Sequence, residues 1–523
     1  MRLPGPPWRS PGLRDLGVVL AVKAAASAVT LGLGFRAVSD DDFARVVLAQ
    51  AWAHAPKLDP TGTSWLPAPF WLSGALLRLF GTGLGAARAV ALVLGLVSAA
   101  LIYLAARWIT EEAGAGGRRG ALAGALVAAV FPWSARLGVA TVPELPTAAL
   151  TLLGVAALTT PSANRRLWGA LALLWATLSR YEPWPLAAVF AAWSLLSALR
   201  LGQSRGDQAK LVVAALIALA GPAAWVAWNH VAHGDALQFL ARVAAYRQAL
   251  GSGGGDGLVS RLLAYPGAML REEPELVLAP LALWLAVQGT PGAARFTEAL
   301  RPYRVPAALA SLQIAALSAA LVRDGAPTHH PERATLVGLL VLALVVGDVG
   351  AQVVATGGPA LRRRAGAAVV ALLLVGGLFV RRYFRREHFN PRLDEVAVGE
   401  AAAARVPGGA PILLEVPHYG YFAVMAALGR PGQVVLDRSI DPRDPPTASS
   451  FVDAAALRRR LVAAGADWFV AQPTEALLGI AGASVEGQGA WALWSAGEVR
   501  ASGERRLSPS LGRPASVERG ATP

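Results

Sequence analysis

Apolar residues fall along this chain in runs separated by short polar connections. A helix needs about 20 consecutive apolar residues to cross the hydrocarbon core of a bilayer. Runs approaching that length lie at 16–35, 84–108, 119–135, 143–160, 166–180, 183–199, 210–228, 274–290, 303–322, 334–355 and 364–380. The pattern predicts a polytopic α-helical membrane protein with about eleven transmembrane helices. Several runs contain Pro or Gly, which membrane helices tolerate where they face other helices or a cavity. Two connections are large, 36–83 and 229–273. The first carries LDPTGTSWLPAPFWLSGALLRLFG, Leu58–Gly81, and the second FLARVAAYRQAL, Phe239–Leu250. Each predicts an amphipathic helix at the membrane surface, the second with Arg242, Tyr246 and Arg247 at helical spacing.

After residue 380 the periodicity changes. Short β-like runs at Ala410–Val416, Gln433–Asp437 and Asp467–Gln472 alternate with the helical pattern of Phe451–Gly465. They predict a small soluble α/β domain over 381–505. LEVPHYGYFAV, Leu414–Val424, brings His418 and two tyrosines into it without a motif that converts into chemistry, so its expected role is accessory. The Pro-, Gly- and Ser-containing stretch 506–523 predicts a disordered tail. Residues 1–14 predict a cytoplasmic tail ahead of an uncleaved first helix, and 15–380 the transmembrane domain.

Composition agrees. Hydrophobic residues make up 54% of the 523 residues and charged ones 16%, with mean hydropathy +0.46, too apolar for a soluble protein of this length. The chain has no Cys, which excludes disulfides and thiol chemistry. Its net charge of +14 sits largely in the connections, where topology and anionic lipid account for it; no motif for nucleic acid is present. With a cytoplasmic N-terminus, the inside loops carry Arg118–Arg119, Arg165–Arg166, Arg200 with Arg205 and Lys210, Arg295 with Arg301 and Arg304, and Arg362–Arg364. All are basic, as the positive-inside rule asks. RRYFRRE, Arg381–Glu387, runs against the rule. The expected location is a bacterial inner membrane, with the acidic loops and the C-terminal domain on the extracytoplasmic side.

Charged groups beside hydrocarbon are costly unless they line a cavity, so four clusters are functional candidates. SDDDFARV, Ser39–Val46, sets Asp40, Asp41 and Asp42 after the first span. A helix start needs one such residue; three leave room for a general base or for a group that steers a donor or cation. FPWSARLGVATVPELPTAAL holds Arg136 and Glu144, which could serve a site or satisfy each other. Ser179–Trp184 packs Arg180, Tyr181, Glu182 and Trp184 together, giving hydrogen-bond donors and a stacking face. His329–Arg333 offers two histidines, a metal pair short of a third ligand, while His330 and Arg333 suit phosphate equally. Asn229, His230, His233 and Asp235, with Trp65 from the first large loop, are candidates for a cavity or acceptor wall.

SDDDFARV, TSWLPAPFWLSG (Thr63–Gly74), ATVPELPTAAL, LSRYEPWP and the loop after WNHVAHGDALQF, in this order, resemble the integral-membrane glycosyltransferases of the GT-C superfamily. The nearest branch holds protein O-mannosyltransferases and bacterial lipid A aminoarabinose transferases, and the resemblance covers about residues 15–380. It implies an inverting transfer from a sugar on a polyprenyl phosphate to an extracytoplasmic hydroxyl or phosphate of a protein, lipid or glycan. On the resemblance, Asp41 looks like the catalytic base and Asp42 the second acidic residue, with Asp40 kept open because a triple Asp does not fix the register. Arg180 looks like a ligand of the donor phosphate, oriented by Glu182, and His330 with Arg333 like the basic cluster near the lipid phosphate, although Ala334 stands where an aromatic is expected. Tyr181, Arg136 and Glu144 join them as donor-site candidates. No cofactor is implied, though three adjacent aspartates could take a divalent cation by spacing alone.

Two other readings compete. A secondary transporter would put charges in broken helices near the midplane and often shows an internal repeat; here the charges sit at the rim. A glycan ligase or polymerase also needs outer-face Arg and His, but not the early acidic cluster.

Overall fold

The computed structural model describes residues 11–497 and residue 499, apart from residues 63, 112–113, 201–202, 250–256, 291, 324–329, 357, 379–388 and 390. RRYFRRE, most of the Gly-rich stretch after Leu250, His329 and the tail 506–523 lie outside the described residues. Two compact units divide the chain, Met1–Pro391 and Arg392–Pro523.

The first unit is helical. Chain order gives α1 (Pro11–Gly32), α2 (Asp40–His54), α3 (Ala68–Phe80), α4 (Leu84–Ile109), α5 (Gly114–Val130), α6 (Pro132–Leu137), α7 (Glu144–Leu158), α8 (Ala163–Thr177) and α9 (Trp184–Ala198). Then follow α10 (Arg205–His233), α11 (Gln238–Ala249), α12 (Leu258–Glu272), α13 (Pro274–Val287), α14 (Gly292–Leu300), α15 (Arg304–Val322), α16 (Pro331–Ala334), α17 (Leu336–Thr356) and α18 (Pro359–Leu378). Each of the eleven apolar runs contains a helix in this order, the third run being divided between α5 and α6. Among the described residues five are long and apolar enough to cross a membrane: Gly12–Gly32, Leu84–Ile109, Arg205–His233, Phe296–Val322 and Leu336–Val353. Four further apolar helices are shorter, Ala68–Phe80, Glu144–Leu158, Trp184–Ala198 and Pro274–Val287.

Burial separates lipid-facing from central helices. In α10 only 33% of the most apolar stretch is buried, leaving residues such as Leu216 exposed, which water would not tolerate and lipid does. In α17 the share is 72%, and its leucines and valines pack on α5, α7, α13 and α15. Small residues let backbones meet: a methyl group on Gly347 of α17 would lie 2.4 Å from Gly124 Cα of α5.

The two expected surface helices form as α3 and α11, the first shorter than expected because residues 58–62 and 64–66 run irregularly ahead of it. The stretch 258–272, read from the sequence as loop, is α12; its Tyr265 is fully buried against Leu317 of α15 and Ala334 of α16. At one end of the bundle Arg118 of α5 grips Asp15 of α1 through Nε (2.7 Å) and Nη2 (2.9 Å), and Tyr103 of α4 donates to the same carboxylate at 3.3 Å.

The second unit contains a five-stranded mixed sheet in the order β2-β1-β3-β5-β4, with β1 (Ile412–Leu414), β2 (Val434–Leu436), β3 (Trp468–Ala471), β4 (Glu486–Gln488) and β5 (Trp491–Ser495). β1 runs parallel to β2 and β3, and β5 antiparallel to β3 and β4. The three parallel strands and the helix Ala454–Ala464 coincide with the sequence runs; β4 and β5 had no separate signal. Phe469 and Trp494 stack in its core, ring centroids 5.3 Å apart.

Candidate functional site

The site begins at the N-terminus of α2. Ser39 is its N-cap, accepting from the Asp41 backbone N–H at 3.2 Å, and Asp42 returns to the Ser39 N–H at 3.3 Å, closing a capping box. Asp42 also accepts from the backbone N–H groups of Val38 (3.0 Å) and Thr141 (3.0 Å), and the Thr141 hydroxyl donates to its carbonyl at 2.9 Å. Its carboxylate is therefore a buried clasp between two loops. Thr141 follows α6, which is itself anchored: Lys23 of α1 donates to the Ser134 carbonyl at 2.7 Å and Glu273 accepts from the Trp133 N–H at 2.6 Å.

Asp41 turns the other way. Arg333 Nη1 donates to its Oδ2 at 2.8 Å, while Nη2 donates to Ser39 Oγ at 2.7 Å. The same guanidinium lies 3.8 Å from Glu144 Oε1, which accepts from Arg180 Nη1 at 2.6 Å. Arg180 then binds Glu182 through Nη2 (2.5 Å) and Nε (3.0 Å). Asp41, Arg333, Glu144, Arg180 and Glu182 thus form one line of alternating charge, contributed by the starts of α2 and α7, the α8–α9 connection and α16. Glu144 is fully buried and Arg333 nearly so, whereas a third of the Asp41 side chain is exposed. Gln313 of α15 fixes the last link by donating to the Glu182 carbonyl at 3.1 Å. Such a buried chain persists because each charge has an opposite neighbour; removing one partner strands the other.

The two aspartates titrate in opposite directions. Burial would raise both. At Asp41 the cations Arg333, Arg45 and His330 outweigh it and hold the carboxyl below the usual range. At Asp42 burial prevails over Arg333 and the backbone donors and pushes the carboxyl up to about 6.

Most sequence candidates meet here, but not all. His330 sits beside the line with Nδ1 3.2 Å from Glu332 Oε1, and Asp40 starts α2 next to it. Arg136 is buried on α6, its Nε 3.4 Å from the Pro132 carbonyl and its guanidinium 4.7 Å over the Trp133 ring. The Tyr181 hydroxyl donates to the Ser64 carbonyl at 2.6 Å and accepts from Trp225 Nε1 at 3.1 Å, and its ring stacks on Phe239. These contacts tie the first large loop to α10. His230, His233 and Asp235 are exposed at the C-terminal end of α10, and among the described residues no hydrogen bond or ion pair joins them to the line of charges. Among the described residues no three His, Asp or Glu side chains are grouped to hold a metal; Asp41 and Asp42 diverge to different partners.

Arg45 was not singled out in the sequence. Its guanidinium lies 4.4 Å over Trp65 and 5.7 Å over Phe70, and it acts electrostatically on Asp41 and Glu144. The signal was there: Arg45 is four residues after Asp41, one turn along the same helix face. Trp65 joins the site through that stack. Thr141 carried no signal, since its bonds to Asp42, through both backbone N–H and hydroxyl, join residues 99 apart in sequence.

No family model matches the chain, and no curated protein matches it in sequence. Solved structures match its fold. ArnT from Cupriavidus metallidurans in the apo state aligns with TM-score 0.55 over 92% of this chain and 97% of that one, at 14% identity. ArnT of the same organism bound to undecaprenyl phosphate aligns with TM-score 0.56 and the same identity and coverage. This chain shares the fold of those two structures. At this identity the fold is shared while most side chains differ, so residue roles must come from the geometry above.

Proposed function

We propose that this chain is an inverting glycosyltransferase that moves a sugar from a polyprenyl-phosphate donor to a hydroxyl or phosphate acceptor on the extracytoplasmic side of a bacterial inner membrane. The observation that carries this reading is the partly exposed Asp41 carboxylate facing Arg333 and backed by the Glu144–Arg180–Glu182 line. Support for the donor class is that ArnT, which shares the fold, has been captured with undecaprenyl phosphate.

In this mechanism Asp41 takes the proton of the acceptor hydroxyl, the acceptor oxygen bonds to the anomeric carbon from the face opposite the leaving group, and the carbon–oxygen bond to the lipid phosphate breaks. The phosphate departs with the electron pair, held by guanidinium groups. Arg333 links the two halves of the step. Paired with Asp41 it keeps the carboxyl a weak base; a donor phosphate that draws Arg333 toward itself frees Asp41 to accept a proton. Asp42 clasps the loop, and Arg180, fixed by Glu144 and Glu182, is the second phosphate ligand. The C-terminal unit is accessory, and the sugar and the acceptor, whether protein, lipid or glycan, are open.

The test is turnover of a panel of polyprenyl-phosphate sugars by purified protein, with and without chelator. Asp41→Asn should cut transfer by about a hundredfold to ten-thousandfold, the range of a lost general base, in protein that still purifies folded and monodisperse, although its melting temperature should fall because Arg333 loses its carboxylate partner; Arg180→Ala should weaken donor use. Near-normal transfer by Asp41→Asn would sink the assignment. No turnover of any donor, together with proton-coupled solute uptake in vesicles, would favour transport.

A further inference from the structure

A second cationic feature lies at the far end of α8. Arg180 follows the C-terminus of α8, and Arg166 is in its first turn; the 14-residue separation corresponds to about 21 Å of helix rise. Arg166 is only 5% exposed, yet it has no carboxylate partner among the described residues. Its Nη1 reaches Ser194 Oγ at 3.3 Å and its Nη2 the Leu158 carbonyl at 3.4 Å, both long and both neutral, and its Nε is buried without a partner. The charge that acts on it is another cation, Arg200, which is exposed. In the same unit Arg180 and Arg333 are matched by carboxylates and Lys23 by a carbonyl at 2.7 Å, whereas Arg166 has only these two long contacts and the Phe190 ring, 6.0 Å from its guanidinium carbon.

The fold gathers further basic residues at the same place. Ala163, Ala198 and Leu211 pack together, joining the start of α8, the end of α9 and the start of α10. Those ends carry Arg165, Arg166, Arg200, Arg205 and Lys210, of which Arg165 pairs with Glu111 and Lys210 lies 3.8 Å from Asp207. The positive end of the α8 dipole adds to the field. On the same helices Trp168, Leu196 and Leu199 are 63%, 65% and 80% exposed, an apolar surface beside the cations. A buried guanidinium opposed by a like charge is unfavourable unless an anion completes it, and Arg presents the planar fork that phosphate oxygens fit.

We propose that Arg166 and Arg200 form a phosphate-binding site between the ends of α8, α9 and α10, with Arg166 as its buried floor and Arg200 as its open side. The ligand is a phosphate group beside an apolar surface, the chemistry of an anionic phospholipid headgroup. This site is separate from the acidic line and does not depend on the transfer reaction.

Native mass spectrometry of the full chain in detergent, with phosphatidylglycerol and phosphatidylcholine offered together, tests it. Wild type should retain phosphatidylglycerol in preference. Arg200→Gln should lower that preference about fivefold and Arg166→Gln with Arg200→Gln about thirtyfold, taking one cation's usual attraction to an anionic lipid surface per residue. Arg323→Gln, which removes an exposed charge elsewhere, should leave it unchanged. Millimolar inorganic phosphate that displaces the lipid identifies free phosphate as the source the site accepts; lipid that stays bound identifies the headgroup. Because Arg200 is exposed, its single variant should fold even where the double variant does not. Equal phosphatidylglycerol retention by wild type and a folded Arg200→Gln chain would overturn the site.

Discussion

Neighbouring side chains of one residue type have opposite fates at the start of α2. Asp41 enters an ion pair with Arg333, 292 residues away in sequence, and Asp42 accepts from Thr141, 99 residues away. The run of three aspartates was legible as unusual, and the capping box within it follows from local spacing, but nothing local distinguishes a carboxylate beside a guanidinium from one ringed by backbone N–H groups. The distinction has a thermodynamic consequence. Asp42 has its folded-state value raised to about 6 from 3.8, so the folded chain holds a proton there that the unfolded chain has released. Its contribution to stability is complete below the unfolded value and is lost as the pH rises through the folded one. Asp41, held low, acts in the reverse sense, contributing above its unfolded value and losing that contribution as the medium becomes more acidic than the usual carboxylate range. Between about pH 4 and pH 7 the Asp42 contribution should dominate the difference between wild type and Asp42→Asn. Thermal melts of the two in detergent should converge or cross as the pH rises, with wild type gaining on acidification relative to the variant; parallel profiles would show that Asp42 is not protonated in this window.

At the scale of elements, helix existence was readable because hydrocarbon imposes a minimum apolar length on every span. The misread element is α12, where Arg261, Tyr265 and Pro266 interrupt the apolar pattern; it folds because Tyr265 packs into the core made with α15 and α16. Strands β4 and β5 were missed for a related reason: β4 is three residues long, and its pairing with β5 defines it. How helices meet depends on the small residues they share. Gly347 and Gly124 bring α17 and α5 to backbone contact, so a side chain at Gly347 has no free volume to enter. Gly347→Val should destabilise the chain by about 1–3 kcal/mol through overpacking, read as a lower melting temperature and a reduced yield of monodisperse protein. Gly350→Val, on the same helix where an added methyl meets nothing within 4 Å, is the control and should behave like wild type. Equal melting temperatures for the two variants would show that the α5–α17 approach is not tight.

At the scale of the whole molecule, the acidic line and the Asp15–Arg118 pair occupy opposite ends of α1, with Asp15 in its first turns and Asp41 beyond its last. If the first end is cytoplasmic, the acidic site opens outside. The absence of Cys makes this directly testable, since any introduced thiol is unique. Leu58, 70% exposed in the first large loop, and Arg205, exposed at the start of α10, are suitable positions. A membrane-impermeant maleimide should label Leu58→Cys in intact cells and Arg205→Cys only after permeabilisation; the opposite result would invert the orientation and move the proposed reaction to the cytoplasmic side. The sequence by itself determined that this is a helical membrane protein, where its apolar helices run, and which loops are acidic or basic, because a bilayer constrains each span through its own length and polarity. Only the tertiary structure decided which charges meet. It brought Arg45 and Thr141 to Asp41 and Asp42, tied the Tyr181 hydroxyl to Ser64 and Trp225, and left Arg166 without a carboxylate among the described residues, because an ion pair between distant segments exists only once packing has brought their helix ends together.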